Sequence, residues 1–134
     1  KSCIEAYKKF SNSNEVKIFV KSIRKKRPLV HTLFSLLMFI FNTVLFRKIL
    51  YDIHSQPNLF RKLDKKIVDK APNNMSIDLY FYLYFKVNKF KIIRFNVEFL
   101  ERKHGMGSND TLLQKLRYIP LAITNSIKLF FYDK

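Results

Sequence analysis

A chain of 134 residues with 48% hydrophobic side chains, 14 Phe and 7 Tyr is long enough for one domain, or part of one, around a buried core. A net charge of +16 and a pI near 10.1 point to an anionic partner: nucleic acid, a membrane surface or a phosphorylated ligand. The single cysteine, Cys3, excludes an intrachain disulfide framework and a cysteine zinc site, and it fits a reducing compartment.

Residues 2–10 read as the end of a helix, and no signal-peptide pattern is found at the start. Residues 16–21 alternate as a strand does. The run from Lys21 to Arg27 then places five cations in seven residues, closed by Pro28. From Leu29 to Phe46 the chain has the length of a minimal membrane span with cations beyond both ends. His31, Thr32, Ser35, Asn42 and Thr43 interrupt it near helical spacing, which predicts a buried or interfacial helix rather than a free span.

Asp52 to Phe60 is polar and carries Pro57, so it reads as a loop entering a short strand. Residues 61–70 read as a charged helix with Leu63, Ile67 and Val68 inward. Asn73 to Ser76 is a turn whose Ser76 can cap a helix starting near Asp78, leaving that carboxylate in the first turn where the helix dipole favours it. Lys91 to Leu100 is the clearest strand, with Ile93, Phe95, Val97 and Phe99 on one face and Arg94, Asn96 and Glu98 on the other. Leu112, Leu113, Leu116, Ile119, Ile123, Ile127 and Phe130 form a helical stripe, broken or kinked at Pro120.

The strand predicted over 91–100 delivers the chain into ERKHGMGSND, residues 101–110, which holds both glycines, Gly105 and Gly107. A cation followed by glycines and Ser-Asn suits a phosphate clamp built from Arg102 and backbone N–H groups. A surface loop that needs positive φ suits the same residues. The run over 21–27 is either a solvated face or the lining of a site, and it lacks the interleaved aromatics that stack bases. Asp52 and Asp78 each stand at a loop-to-element junction, as caps, surface acids or site residues. His31, His54 and His104 have no metal-ligand spacing, no Ser/His/Asp order stands out, and no P-loop occurs.

Taken in order, IFVKSIRKKRPL, FRKILYDIHSQPNLFRK, MSIDLYFYLYFK and IIRFNVEFLERKHGMGSND resemble the second half of a family 2 glycosyltransferase. The branch is that of polyisoprenyl-phosphate sugar transferases akin to dolichyl-phosphate mannose synthase. The resemblance implies an α/β fold, the C-terminal portion of a GT-A fold with a mixed sheet flanked by helices. It assigns residues 1–110 to that half domain and 111–134 to an amphipathic, membrane-interface tail. It implies inverting transfer of a sugar from a nucleotide-sugar donor to a lipid phosphate acceptor or a related cell-envelope acceptor. The location implied is cytoplasmic, peripheral at the inner face of the membrane. The family's first half carries the Asp-x-Asp metal motif, absent from these residues, so the Mg or Mn ion of the whole enzyme has its ligands mostly elsewhere and the isolated half is expected to be inactive.

The resemblance assigns phosphate contacts to Arg24 and Arg27, sugar-pocket lining to Asp52 and Gln56, and the general-base position to Asp78. A phosphate acceptor is already ionised, so in this branch Asp78 is expected to position groups rather than abstract a proton. Arg102 and Ser108 match an Arg-x-x-Gly-x-Ser phosphate grip; the chain's extra residue makes Asn109 an alternative to Ser108. The competing reading of charge and size is a non-enzymatic basic protein that binds nucleic acid, which the ordered motifs do not support.

Overall fold

The computed structural model describes residues 2–98 and 112–132. Their order is α1 (Ser2–Ser11), β1 (Ile18–Lys25), α2 (Leu29–Phe46), β2 (Asn58–Phe60), α3 (Lys65–Asp69), α4 (Ile77–Val87), β3 (Lys91–Glu98) and α5 (Leu112–Tyr132). The architecture is mixed α/β: a three-stranded mixed sheet of order β2-β1-β3 with helices on both faces. β2 runs antiparallel to β1, and β3 runs parallel to it.

Period-two alternation along β1 sends Ile18 and Val20 to one face and Phe19 and Lys21 to the other. On the first face they join Phe95 of β3 and Ala6 of α1, with Phe10, Leu59, Ile93 and Val97 packed around them. On the second, Phe19 packs with Leu79, Tyr82, Leu83 and Phe85 of α4, Leu129 of α5, and Leu50 and Ile53 of the loop after α2. The aromatic load is concentrated there, with the rings of Phe19 and Phe85 4.4 Å apart between centroids.

Several predicted elements change extent. β1 covers 18–25 rather than 16–21, because β3 pairs with it over eight consecutive residues, from Ile18↔Lys91 to Lys25↔Glu98. Most of the basic run therefore lies in the sheet and not in a loop. α3 is five residues, not the ten of 61–70, and Val68 is exposed, while Leu63 and Ile67 are half-buried. Ser76 does precede α4, and its carbonyl accepts from Tyr80 N–H at 2.8 Å, but its hydroxyl donates to Asn74 Oδ1 instead of capping the helix. Phe99 lies outside the described residues.

α2 spans the predicted 29–46, and its polarity is inverted. Leu29, Val30, Leu33, Leu36, Leu37, Ile40 and Val44 are exposed, and its one buried residue is Asn42. His31 and Ser35, at spacing that shares a face with Asn42, are half-buried. α5 is mixed: Ser126 and Leu129 are buried and Ile119, Ile123, Asn125 and Phe130 half-buried, while Leu113, Leu116 and Ile127 of the predicted stripe are exposed. The two helices meet, with the rings of Phe46 and Phe130 5.8 Å apart. Among the described residues α2 is the one helix long and apolar enough to cross a membrane, at mean hydropathy 2.0.

Among the described residues, four with side chains hold positive φ: Lys26, Arg47, Asp52 and Lys89. Arg47 is the left-handed C-cap of α2. Pro120 sits inside α5 at an exposed position without ending the helix. Its ring removes an N–H donor and crowds the preceding turn. Pro120→Ala is expected to stabilise the chain by about 1–3 kcal/mol, read as a higher urea midpoint. An unchanged midpoint would mean that α5 bends there for its packing and gains nothing from the restored N–H.

Candidate functional site

The candidate site lies at the carboxyl end of β1, where parallel strands leave ligands room beyond their last residues. Arg24 is on β1, Arg27 follows it, and Asp52 comes from the turn after α2. Asp52 Oδ2 accepts the backbone N–H of Arg24 at 2.8 Å, and Oδ1 accepts from Arg24 Nε at 2.9 Å and from its Nη2. Arg27 Nη1 lies 3.8 Å from the same Oδ1 and donates to Ser35 Oγ of α2 at 2.7 Å. The Asp52 side chain is only 4% exposed. Burial raises its pKa, but the hydrogen bonds from Arg24 and the charges of Arg24 and Arg27 outweigh that and hold the carboxyl below its usual value. The Arg27 guanidinium is pushed down by burial first and by the neighbouring charge of Arg24 second. Two guanidiniums against one carboxylate leave a positive surplus; exposed Lys25 adds to it, while Lys26 is paired with Glu98.

A second group adjoins the first. Gln56 Nε2 donates to Asp78 Oδ1 at 3.0 Å, and His54 Nδ1 lies 3.4 Å from Asp78 Oδ2. Asp78 stands in the first turn of α4 as expected. The peptide bond between Gln56 and Pro57 is cis. Asp78, Gln56 and His54 offer a carboxylate, an amide and an imidazole able to orient a hydroxyl or a phosphate-bearing ligand.

Between the two groups lies Lys21, fully buried on β1. Its Nζ donates to the carbonyl of Ile53 at 2.7 Å, to that of Ser55 at 3.4 Å and to Asn58 Oδ1 at 3.3 Å. Burial pushes the amine down to about 7, offset in part by the charge of Asp78. Directly across the ladder from Lys21 is Arg94. Arg94 donates to the carbonyl of Tyr51 at 2.9 Å, to that of Ser22 at 3.3 Å and to the Tyr82 hydroxyl. Burial raises the pKa of that phenol.

The structure thus joins Arg24, Arg27 and Asp52 in one cluster and Gln56 and Asp78 in a neighbouring one. Arg102, Ser108 and Asn109 lie outside the described residues. Lys21, Arg94, His54 and Ser35 were not singled out from sequence. The signal for Lys21 was present: in the alternation read over 16–21 it already shares the face of Phe19. Among the described residues no three His, Cys, Asp or Glu side chains are grouped to hold a metal ion. They form no complete ligand set for a divalent cation. Compared with known proteins, the chain matches no family model, no curated protein and no solved structure.

Proposed function

We propose that the chain is the acceptor-facing half of a family 2 glycosyltransferase with a GT-A fold. The whole enzyme would transfer a sugar from a nucleotide-sugar to a polyisoprenyl phosphate or a related envelope acceptor at the cytoplasmic membrane face. The donor-binding half, with the Mg or Mn ligands, would come from elsewhere. One observation carries this reading: a cation-rich cluster is tied through Arg27 and Ser35 to the start of a helix whose apolar face points outward. A lipid phosphate has both parts, an anion and a chain, and would meet Arg24 and Arg27 while its tail lies along α2 and α5. The first turn of α2 adds a favourable dipole for an anion. Gln56 and Asp78 would lie toward the sugar, and the resemblance assigns a phosphate grip to Arg102 with Ser108 or Asn109, which lie outside the described residues.

Much of the aromatic load that a nucleic-acid binder would present to bases packs instead in the core around Phe19 and Phe85, although Tyr7, Tyr51, Phe131 and Tyr132 are exposed. Liposome co-sedimentation separates the readings. Vesicles doped with polyisoprenyl phosphate are expected to bind the chain at least five-fold more tightly than phosphatidylglycerol vesicles of equal charge. The Arg24→Gln/Arg27→Gln variant is expected to lose that preference and keep the general attraction. Equal binding to both vesicle types, displaced by any RNA, would sink the proposal.

A further inference from the structure

Two cations, Lys21 and Arg94, face each other across β1 and β3. They are register partners on the α4 face of the sheet. Lys21 Nζ and Arg94 Cζ each lie 5.2 Å from the centroid of the Tyr82 ring, which sits against both. Each cation then reaches past the ring to one segment of chain. Arg94 takes the carbonyl of Tyr51, and Lys21 takes those of Ile53 and Ser55. The residue between those holds is Asp52, at φ 50°, the carboxylate on which Arg24 and Arg27 converge.

We propose that Lys21 and Arg94 form a clasp that positions the Asp52 turn, and through it the guanidiniums of Arg24 and Arg27, for binding an anion. This deepens the reading of that cluster as a phosphate site and rests on it. Three features support the clasp. An ammonium has three N–H groups, and Lys21 has three oxygen acceptors around it. A cation buried among backbone carbonyls is a costly way to fill a core position that Met or Leu would fill more cheaply. Its acceptors belong to the turn and to Asn58 at the start of β2, so the geometry it fixes is that of the turn relative to the sheet. Ser55 adds a tie of its own, donating to the carbonyl of Ser22 at 2.6 Å. The charged or titratable groups facing Lys21 are Asp52 from the turn, Asp78 and Tyr82 from α4, Arg94 from β3 and Arg24 from β1. Lys21 and Arg94 are positioning residues: neither is asked to touch the ligand.

The test uses the full chain with sulfate as probe, which stays dianionic over the neutral range. Sulfate affinity is measured by NMR titration and amide hydrogen exchange is read at Arg24 and Ser55. Those two N–H groups donate to Asp52 Oδ2 and to the Asp52 carbonyl, so they report whether the turn is docked. In Lys21→Met, affinity is expected to fall at least ten-fold and both amides to exchange at least a hundred-fold faster. Aminoethylation of Lys21→Cys in a Cys3→Ser background, done unfolded and followed by refolding, rebuilds a lysine-like amine. It is expected to return affinity to within three-fold of wild type, a rescue that mere core filling would not give.

Binding within two-fold of wild type together with unchanged exchange in Lys21→Met would overturn the clasp. If wild type binds no sulfate, or Arg24→Gln/Arg27→Gln binds it equally well, the anion-site reading fails. The clasp then stands or falls on the exchange rates alone. Should Lys21→Met not fold, Arg94→Gln takes its place, with faster exchange at Ser55 expected and unchanged exchange overturning the proposal.

Discussion

Asp52→Asn is expected to cost roughly 3–5 kcal/mol of folding stability, the range for breaking a buried pair by removing one partner. Asparagine keeps the shape and tolerates the positive φ of position 52, so the substitution isolates charge. It leaves the guanidiniums of Arg24 and Arg27, both largely buried, facing each other without their shared carboxylate. The amide also presents one oxygen where the carboxylate presents two, so the backbone N–H of Arg24 and its side chain compete for an acceptor. The pH dependence has a definite sign. The carboxyl is held below its unfolded value, so its contribution is complete above that value and disappears as pH falls through the lower folded one. Urea unfolding of wild type should therefore lose stability on acidification more steeply than the Asn variant. A loss under about 1 kcal/mol at neutral pH, with parallel acid limbs, would show the cluster to be solvated and loosely paired.

Lys21 adds a rise of the same sign on the alkaline side. Its folded amine is pushed down to about 7 from 10.5, so between those values the unfolded chain binds more protons than the folded one. Stability is expected to rise with pH across that window, by about 2–3 kcal/mol from pH 7 to pH 9. In Lys21→Met the rise should vanish. At pH 7 the same variant is expected to lie within about 2 kcal/mol of wild type, because two effects of similar size oppose. Relief from burying an ammonium is offset by three oxygens, on Ile53, Ser55 and Asn58, left without their donor. Denaturation midpoints at half-unit pH steps decide the matter, and profiles that stay parallel in both proteins would remove Lys21 as the source.

The order of elements was legible because each has a strong local period: β3 in its alternation, α2 in its length, α4 in the turn before it and the acid in its first turn. Extents were less legible where pairing at a distance decides them. Nothing near Lys21–Lys25 says that this basic run joins a parallel ladder; that follows from Lys91–Glu98, far along the chain. The short α3 and exposed Val68 have the same origin, since a charged five-residue helix takes its depth from the core it meets. Asp52 could be singled out by its position and Arg24 and Arg27 through the resemblance, but their convergence on one oxygen could not. The polar interruptions of α2 suited a buried or interfacial helix, and the resemblance set 111–134 at an interface, but periodicity says which residues share a face and not which way that face turns. Here Asn42 and Ser126 are inside, and Leu33, Leu37 and Leu113 are outside.

The left-handed positions at Lys26, Arg47, Asp52 and Lys89 have a meaning beyond geometry. Glycine would adopt each of them freely, and a side chain there forgoes about 1 kcal/mol or more. This chain is frugal with glycine and gives three of the four places to lysine or arginine. Two of those, Lys26 and Arg47, bracket α2, so each end of the apolar helix carries a cation fixed at a bend rather than swinging on a flexible hinge. Charge at these corners is therefore addressed to a definite height along the helix, which is what a layered medium, polar at one depth and oily at the next, would read.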